Sequence, residues 1–448
     1  MRKDKFLKAV CSLAIPVALQ SMLQSSFSMV DQIMIGQLGE ISVAGVGLAG
    51  KFASIYSVVI SAIGAVTGIM ISQYLGQKNN AEVRRSIFVN LLLGALMAVV
   101  FAAVCALFPS RIMGIYTSDE RTRQAAAEYL ALMAGTFLPM AGATLLSTAF
   151  RCAEKPQLPL YASILSAILN TGLNYMLIFG RLGAAAMGAK GAAVATVVSQ
   201  CANFLVMLLM ARKALPVLRA GERWKRAAGR LNWRQYWTML LPMLVCEVAW
   251  SLGENVYAAI YGHMGTDASA AMTLINPIQG LVIGALCGLS QAASVIVGKR
   301  LGSEDYEDAY RASKKLIVYG AVGSVALSAV VLLTSGLYVR IYRGAPDVKI
   351  LTRQILAAYA IIAPFKVLNM ILGGGILRSG GRTKYVMFID TVGTWFFGVP
   401  LGLVSAFVLK LPIPWVYFIL SLEECVRFSV SLVVFCKKKW MNRLKAGC

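Results

Sequence analysis

The chain has 448 residues, of which 58% are hydrophobic and only 14% charged, and its mean hydropathy is +0.69. A soluble domain usually has an apolar share of about 45 to 50%, so the composition excludes an ordinary soluble protein and indicates a membrane protein with many spans. The 43 Lys and Arg residues outnumber the 20 Asp and Glu residues and give a formal charge of +23.

Apolar runs of about 20 residues predict twelve transmembrane helices and an all-α integral membrane fold. The predicted helices cover residues 9–35, 42–74, 87–108, 126–150, 159–180, 191–211, 236–261, 268–298, 314–336, 352–377, 385–408 and 415–436. They form an amino-terminal six-helix lobe at 1–212 and a carboxyl-terminal six-helix lobe at 236–448, joined by a basic linker at 213–235.

The positive charge is distributed unevenly between the two sides of the predicted membrane. The loops on the side of the termini hold about three times as many Lys and Arg residues as the opposite loops, and cytoplasmic loops carry that excess. We therefore expect a multi-pass protein of the cell (inner or plasma) membrane with both termini cytoplasmic. The basic linker is then expected to lie on anionic lipid headgroups, and nucleic acid is not an expected partner.

The two halves repeat the same helix-breaking residues at a constant spacing of 226 positions, the spacing between Pro16 and Pro242. The repeated residues are Pro16, Gly36, Gly39, Ala44, Leu48, Leu75, Gly76 and Arg85, which match Pro242, Gly262, Gly265, Ala270, Leu274, Leu301, Gly302 and Arg311. Both halves begin on the same side, so the pattern predicts parallel repeats related by a pseudo-two-fold axis along the membrane normal. A cavity between the halves and transport by alternating access are expected of such a repeat.

Asp31 is the ionisable residue of the first helix, and its equivalent in the second half is Tyr257. Gln20 and Gln24 lie eleven and seven residues before Asp31 and share its helical face, which gives a polar stripe on an apolar helix. Ionisable groups within spans mark functional sites by default. Asp31 is therefore a candidate carrier of the coupling ion, and an ion pair with Lys51 is the alternative.

Asn170 and Asn174 are four residues apart on the fifth helix and therefore face the same way. Carboxamides can supply oxygen atoms to Na⁺ or N–H groups to a carboxylate. Hydrogen bonding between helices is the structural alternative.

Glu247 and Glu254 share one face of the seventh helix, with Trp250 between them. Two acids and an indole suit a cationic, apolar guest through charge pairing and cation–π attraction. Pairing with Lys366 or a structural hydrogen bond is the alternative for these acids.

Other buried charges favour structural roles. Glu423 and Arg427 have helical ion-pair spacing, with Glu424 adjacent. Asp390 follows the basic cluster of Arg378, Arg382 and Lys384 and is expected to pair with it.

Catalytic and cofactor-binding motifs are absent from the sequence. The single His and the nine Cys form no metal-binding pattern, and no phosphate-binding loop or nucleophile–base set is present. We expect no enzyme, no cofactor and no bound metal, so active transport would depend on an ion gradient.

Five stretches of the chain resemble the MATE family (multidrug and toxic compound extrusion), and the likeness covers nearly the whole chain. They are PVALQSMLQSSFSMVDQIMIGQLGEISVAGVGLA, LNTGLNYMLIFG, GAAVATVVSQ and the paired exits LGQKNN and LGSEDY. The loop RSGGRTKYVMFID is similar to the DinF-like bacterial branch. The resemblance implies H⁺- or Na⁺-coupled antiport of organic cations or drugs by a monomer.

The resemblance also assigns residues to an ion site. Asp31 matches the acid that exchanges the coupling ion, Asn170 matches its fifth-helix partner, and Thr196 matches a sixth-helix hydroxyl. Asn174 stands where the family often has Asp, which favours H⁺ over Na⁺, although a Na⁺ site at Asp31, Asn170 and Asn174 stays open.

The predicted tenth helix of this chain contains no acid. Some branches of the family carry an acid on that helix, where this chain has Lys366 and Asn369.

A related lipid-linked oligosaccharide flippase is the alternative function, and Lys51 and Lys366 are the residues that favour it.

Overall fold

The computed structural model describes residues 3–181, 183–215, 232–341 and 346–446. These residues form helices joined by short turns and contain no β-strand, which confirms the predicted all-helical fold. The α-helices are α1 Lys3–Gly36, α2 Glu40–Gly76, α3 Asn80–Leu107, α4 Pro109–Gly114, α5 Glu120–Met133, α6 Phe137–Cys152, α7 Gln157–Phe179, α8 Ala189–Ala214, α9 Trp233–His263, α10 Thr266–Gly302, α11 Tyr306–Ile341, α12 Pro346–Asn369, α13 Thr383–Val392, α14 Val399–Leu403, α15 Ile413–Ser421 and α16 Glu423–Cys436.

Eleven segments of the described chain are long and apolar enough to cross a membrane. Backbone polar groups must be satisfied within each segment in lipid, so long continuous helices are the expected solution. α5 and α6 form one such segment around a 3₁₀ turn at Ala134–Thr136. The predicted twelfth helix is helical but divided, because a tight turn at Leu422 separates α15 from α16.

Three π-helical stretches interrupt the last third of the chain, at Met370–Leu377, Gly393–Gly398 and Val404–Val408. The first continues directly from α12 and contains Gly375, where an added Cβ would lie 2.6 Å from the carbonyl oxygen of Ser290. Such insertions are uncommon and often occur at functional sites.

The described chain divides into two compact units. Of the described residues, unit 1 contains 3–18, 72–78, 233–341 and 346–445, and unit 2 contains 19–71, 79–181, 183–215, 232 and 446. A division at residue 212 separates most of these residues, but the start of α1 and the end of α2 cluster with the carboxyl-terminal half. Most of the predicted basic linker, residues 216–231, lies outside the described residues.

The core of unit 2 contains a buried aromatic cluster. Tyr56 is fully enclosed, its ring centroid lies 4.5 Å from that of Phe137, and its hydroxyl donates to the Phe137 carbonyl at 2.7 Å. Gly94 allows α3 to approach α6, because a Cβ there would lie 2.7 Å from a methyl of Leu145. This packing holds α2, α3 and α6 together.

Unit 1 joins the ends of α2 and α10 through two equivalent glycines. A Cβ at Gly76 would lie 2.0 Å from the carbonyl oxygen of Lys299, and one at Gly302 would lie 2.0 Å from that of Gln73. The two contacts are equivalent in the predicted repeat. Gly76 and Gly302 are 226 positions apart, and so are Gln73 and Lys299. Only glycine permits this backbone contact on both sides.

The segment after α16 packs into unit 1 rather than extending away. Trp440 is fully enclosed, and the side chain of Gln73 bonds to the segment in both directions. Its amide donates to the carbonyl of Asn442 at 3.0 Å, and its Oε1 accepts from the N–H of Leu444 at 2.8 Å. Gln77 also donates to the Leu444 carbonyl at 2.9 Å.

Candidate functional site

The predicted ion-site residues of unit 2 lie in one hydrogen-bonded chain. Asn174, only 1% exposed, donates from Nδ2 to Asp31 Oδ1 at 2.6 Å and to Asn170 Oδ1 at 3.1 Å. Asn170 donates in turn to Thr196 Oγ1 and to Ser199 Oγ, each at 3.4 Å. α1, α7 and α8 therefore meet at a single carboxylate and its amide partners.

The local sequence explains this convergence. Asn170 and Asn174 are one turn apart on α7, so both amides project from the same side. The Thr196 hydroxyl donates back to the Ala192 carbonyl at 2.9 Å, which leaves its oxygen free to accept from Asn170. The chain ends at a charged group, and hydrogen bonds to charged groups are stronger than neutral ones.

Lys51 does not neutralise Asp31. The Lys51 side chain is exposed, and no carboxylate of the described residues lies within 4.0 Å of it. The alternative ion pair between these two residues is therefore wrong for this structure. The charge of Asp31 is stabilised by an amide and not by a cation.

One further residue belongs to this site. Ser199 extends the hydrogen-bonded chain one turn beyond Thr196 on α8. Its residue type gave no signal in the sequence, because its position on α8 does not show which other helix it will pack against.

Gln24 lies apart from the hydrogen-bonded chain. Its side chain is exposed, whereas Gln20 on the preceding turn is nearly buried and donates to Ser163 Oγ at 2.9 Å. The polar stripe predicted on α1 thus has one residue engaged in packing and another that remains exposed.

The oxygen atoms around Asp31 determine whether a cation could be bound there. Asn174 Oδ1 is buried and accepts no hydrogen bond from the described residues, so it is a spare oxygen beside the carboxylate. Among those residues no group of three or more His, Cys, Asp or Glu side chains is arranged to hold a metal ion. Of these groups only the Asp31 carboxylate could receive H⁺, whereas oxygen atoms of Asn170, Asn174 and Thr196 could join it in binding Na⁺.

Unit 1 places three of the four predicted substrate-binding residues, Glu247, Trp250 and Glu254, in two neighbouring cavities, and the fourth, Gln24, belongs to unit 2. The first, here called the acidic cavity, has a volume of about 220 Å³ and is lined by Glu254, Glu423, Glu424 and Lys366 among others. The second, here called the arginine cavity, has a volume of about 270 Å³ and is lined by residues that include Glu247, Trp250, Asp390, Arg378, Arg427 and again Lys366 and Glu424.

Glu247 is part of an ion-pair chain in the arginine cavity. Arg378 Nη1 donates to Glu247 Oε1 at 3.3 Å, and Arg378 Nη2 lies 3.9 Å from Asp390 Oδ2. Arg427 donates to the same Asp390 at 2.5 Å. Glu247 therefore pairs with Arg378 rather than with Lys366, and Asp390 pairs with Arg378 as expected and also with Arg427.

The predicted ion pair at the start of α16 is confirmed. Arg427 Nη1 lies 3.8 Å from Glu423 and 3.6 Å from Glu424, and both acids are nearly buried in the first turn of the helix. Acids are stabilised at a helix N-terminus by the helix dipole. The turn at Leu422 that divides the last predicted span places them there.

The fold and the amide-bound carboxylate define an all-helical membrane transporter. A MatE family model matches residues 16–176 and again residues 242–404, so both matches begin at the equivalent prolines Pro16 and Pro242. The chain belongs to the MatE family, which confirms the predicted family and the prediction of a transporter rather than an enzyme.

Relatives and solved structures match almost the full length. The chain is 23% identical over 441 residues to a probable multidrug resistance protein NorM of Thermotoga maritima, covering 97% of this chain and 93% of that protein. It is 21% identical over 439 residues to an uncharacterized transporter, YisQ, of Bacillus subtilis, covering 97% and 94%. The structure of a mutant of the Vibrio cholerae MATE transporter VcmN superposes with a TM-score of 0.87 at 15% identity, covering 97% of each chain.

Proposed function

We propose that this protein exports organic cations or drugs in exchange for a coupling cation, with H⁺ favoured over Na⁺. The observation that carries the proposal is the hydrogen bond from Asn174 to the Asp31 carboxylate, which no cation of the described residues neutralises. The naming of the Thermotoga maritima relative as a probable multidrug resistance protein supports the class of substrate.

The chemistry of the Asn174 amide suits a proton. An ionised Asp31 accepts from the N–H group, as in the structure. A protonated Asp31 would need an acceptor, and rotation of the same amide would present its Oδ1, which is unpaired here. Both protonation states can therefore be satisfied by one residue, and the rotation would also change what the amide offers to Asn170.

Coupling requires that the two protonation states favour different conformations of the transporter. A ligand shifts such an equilibrium only by its differential affinity for the two states. We propose that the amide chain from Asp31 through Asn170 to Thr196 supplies that difference, because its hydrogen-bond directions depend on the proton.

We extend the proposal to the organisation of the protein, its branch of the family and its contacts with the substrate. We propose two repeats, 1–212 and 236–448, that move by alternating access, with both termini in the cytoplasm and the monomer as the active form. The DinF-like branch is supported by the loop RSGGRTKYVMFID. Gln24, Trp250 and Glu254 are proposed to contact the substrate, whereas Glu247 is proposed to stabilise the arginine cavity, since it is paired with Arg378.

Transport in proteoliposomes tests the proposal. Purified protein is reconstituted, and export of a fluorescent organic cation is followed under an imposed ΔpH and then under an imposed ΔNa⁺. Transport driven by ΔpH alone supports H⁺ coupling, transport driven by ΔNa⁺ alone would replace H⁺ with Na⁺, and transport by neither gradient would overturn the proposal. Movement of a lipid-linked oligosaccharide without any cation export would favour the flippase.

A further inference from the structure

The acidic cavity of unit 1 contains more negative than positive charge. Glu254 contributes from α9, Glu423 and Glu424 from the start of α16, and Lys366 is the single cation among the residues that line it. Arg427 faces the two α16 acids from the arginine cavity. An enclosed site with surplus carboxylates attracts a positively charged guest.

Two of the three acids are already engaged. Glu423 accepts from the Tyr257 hydroxyl at 2.5 Å, and Glu424 accepts from Asn369 Nδ2 at 2.8 Å. Glu254 differs from both, because within the described ranges its carboxylate has neither a hydrogen-bond partner nor a cation within 4.0 Å. It is exposed at the cavity wall and is the acid available to a guest.

Lys366 occupies the wall that the two cavities share. Lys366 and Glu254 both line the acidic cavity, yet no described carboxylate lies within 4.0 Å of the Lys366 ammonium group. The ammonium therefore shares the cavity with Glu254 without forming an ion pair with it. A lysine carries its charge on a flexible stem with several rotatable bonds, so it can point into either cavity.

An acceptor for the displaced ammonium lies on the arginine-cavity side. Asn369 is three residues from Lys366, lines the arginine cavity, and has a buried Oδ1 with no hydrogen-bond partner among the described residues. Immediately after Asn369 the chain enters the π-helical stretch at Met370–Leu377, and Pro364 lies two residues before Lys366. The lysine is therefore placed in a segment of irregular helix, with an unused acceptor one turn away.

The remaining lining of the acidic cavity suits an apolar cation. Tyr261 and Tyr417 contribute aromatic rings and Met272 an adaptable thioether. Gln279 donates to the Tyr417 hydroxyl at 2.9 Å, which fixes that ring at the cavity wall. Aromatic faces attract cations, and methionine adapts to guests of different shape.

We propose that the acidic cavity binds organic monocations at Glu254, and that Lys366 is a tethered cation that competes for the same carboxylate and withdraws toward Asn369 when a guest enters. The proposal deepens the proposed function and rests on it. One positive charge replaces another, so the guest enters without changing the charge of the cavity. Lys366 accordingly sets the affinity, since a guest must displace the ammonium before it can bind.

Direct binding to the purified full-length protein tests this exchange, with fluorescent ethidium as the monocation. Lys366→Gln removes the competitor, and we expect ethidium to bind about tenfold tighter. Glu254→Gln removes the shared carboxylate, and binding should weaken about tenfold. In the double variant, Lys366→Gln should tighten ethidium binding only slightly, because the carboxylate for which Lys366 competes is already absent.

Matched variants keep the test specific. Lys366→Arg retains the positive charge that competes for Glu254 and should bind ethidium within about twofold of the wild type. Lys51→Gln removes another lysine within a predicted span and should leave ethidium binding unchanged. Elution profile and thermal midpoint are recorded for each variant, so that a misfolded protein is recognised.

The outcomes separate this inference from the proposed function. Unchanged or weaker ethidium binding by folded Lys366→Gln would overturn the competing role of Lys366. The same holds if Lys366→Gln tightens ethidium binding equally in the wild type and in the Glu254→Gln variant. If the wild type still exports the cation in either case, only the inference is lost. If the wild type neither binds nor exports any monocation tested, the proposed function is overturned and the inference is lost with it.

Discussion

The Asn174 amide donates a 2.6 Å hydrogen bond to the Asp31 carboxylate and, from the same nitrogen, a 3.1 Å bond to Asn170. Because both bonds leave one nitrogen, a change at the carboxylate alters the geometry available to Asn170. Asp31 and the rest of the polar chain are thereby connected through a single rotatable group.

Asp31→Asn should abolish ΔpH-driven export of an organic cation, because the variant cannot exchange a proton at this position. Export in proteoliposomes should fall to the level of protein-free liposomes and lose its dependence on pH, while expression and elution profile stay normal. Glu40→Gln, which removes an exposed acid at the start of α2, should retain wild-type export. Undiminished ΔpH-driven export by Asp31→Asn would exclude the proton role.

Substitutions along the amide chain should have graded effects. Asn174→Ala removes a bond to a charged group, which contributes about 1.5–3 kcal/mol, so the export rate should fall about tenfold or more. Ser199→Ala removes only a 3.4 Å bond between neutral groups, and a change of less than about threefold is expected. Initial rates at matched protein density measure both, and equal losses at the two positions would contradict the proposed order.

Asp390 should contribute to stability because it lies between Arg378 and Arg427. Asp390→Asn leaves two largely buried cations undercompensated, and removing one partner of a buried pair costs about 3–5 kcal/mol. We expect a clear fall in the thermal midpoint of the detergent-solubilised protein. The control is Glu120→Gln, which breaks the exposed Glu120–Arg123 pair and should change stability by less than about 1 kcal/mol.

The glycine contacts at the ends of α2 and α10 predict a steric effect. Gly76→Ala and Gly302→Ala each place a methyl group against a carbonyl oxygen, and overpacking of this kind costs about 1–3 kcal/mol. Both variants should melt at lower temperature than the wild type. Gly36→Ala, which adds a methyl with nothing within 4 Å, serves as the control, and equal melting of all three would show that the two contacts are not tight.

Much of the fold and of the unit 2 site was predictable because helix geometry is local. The spacing of Asn170 and Asn174 fixes their common face without knowledge of any other helix. The ion pair between Arg427 and Glu423 follows from the same rule. Apolar run length determined the spans, although it did not detect the turn at Leu422, where the chain stays apolar while the helix is interrupted.

Contacts between distant helices were not predictable in this way. The spacing of Glu247 and Glu254 on α9 is helical, yet the two carboxylates line different cavities. Arg378, which was expected to pair with Asp390, also reaches Glu247 across 131 positions of sequence. Which side chains meet across helices depends on packing angles, which local spacing does not specify.

The bonds of Gln73 to the carboxyl-terminal segment also constrain the order in which the protein can be assembled. Gln73 emerges early in synthesis, but its partner Leu444 is 371 positions later in the chain. Until residues 442–444 have been synthesised, the end of α2 lacks these acceptors and donors, and unit 1 cannot be completed. The closing of this segment over the end of α2 is therefore a late step of folding, which follows the synthesis of α2 by more than half of the chain.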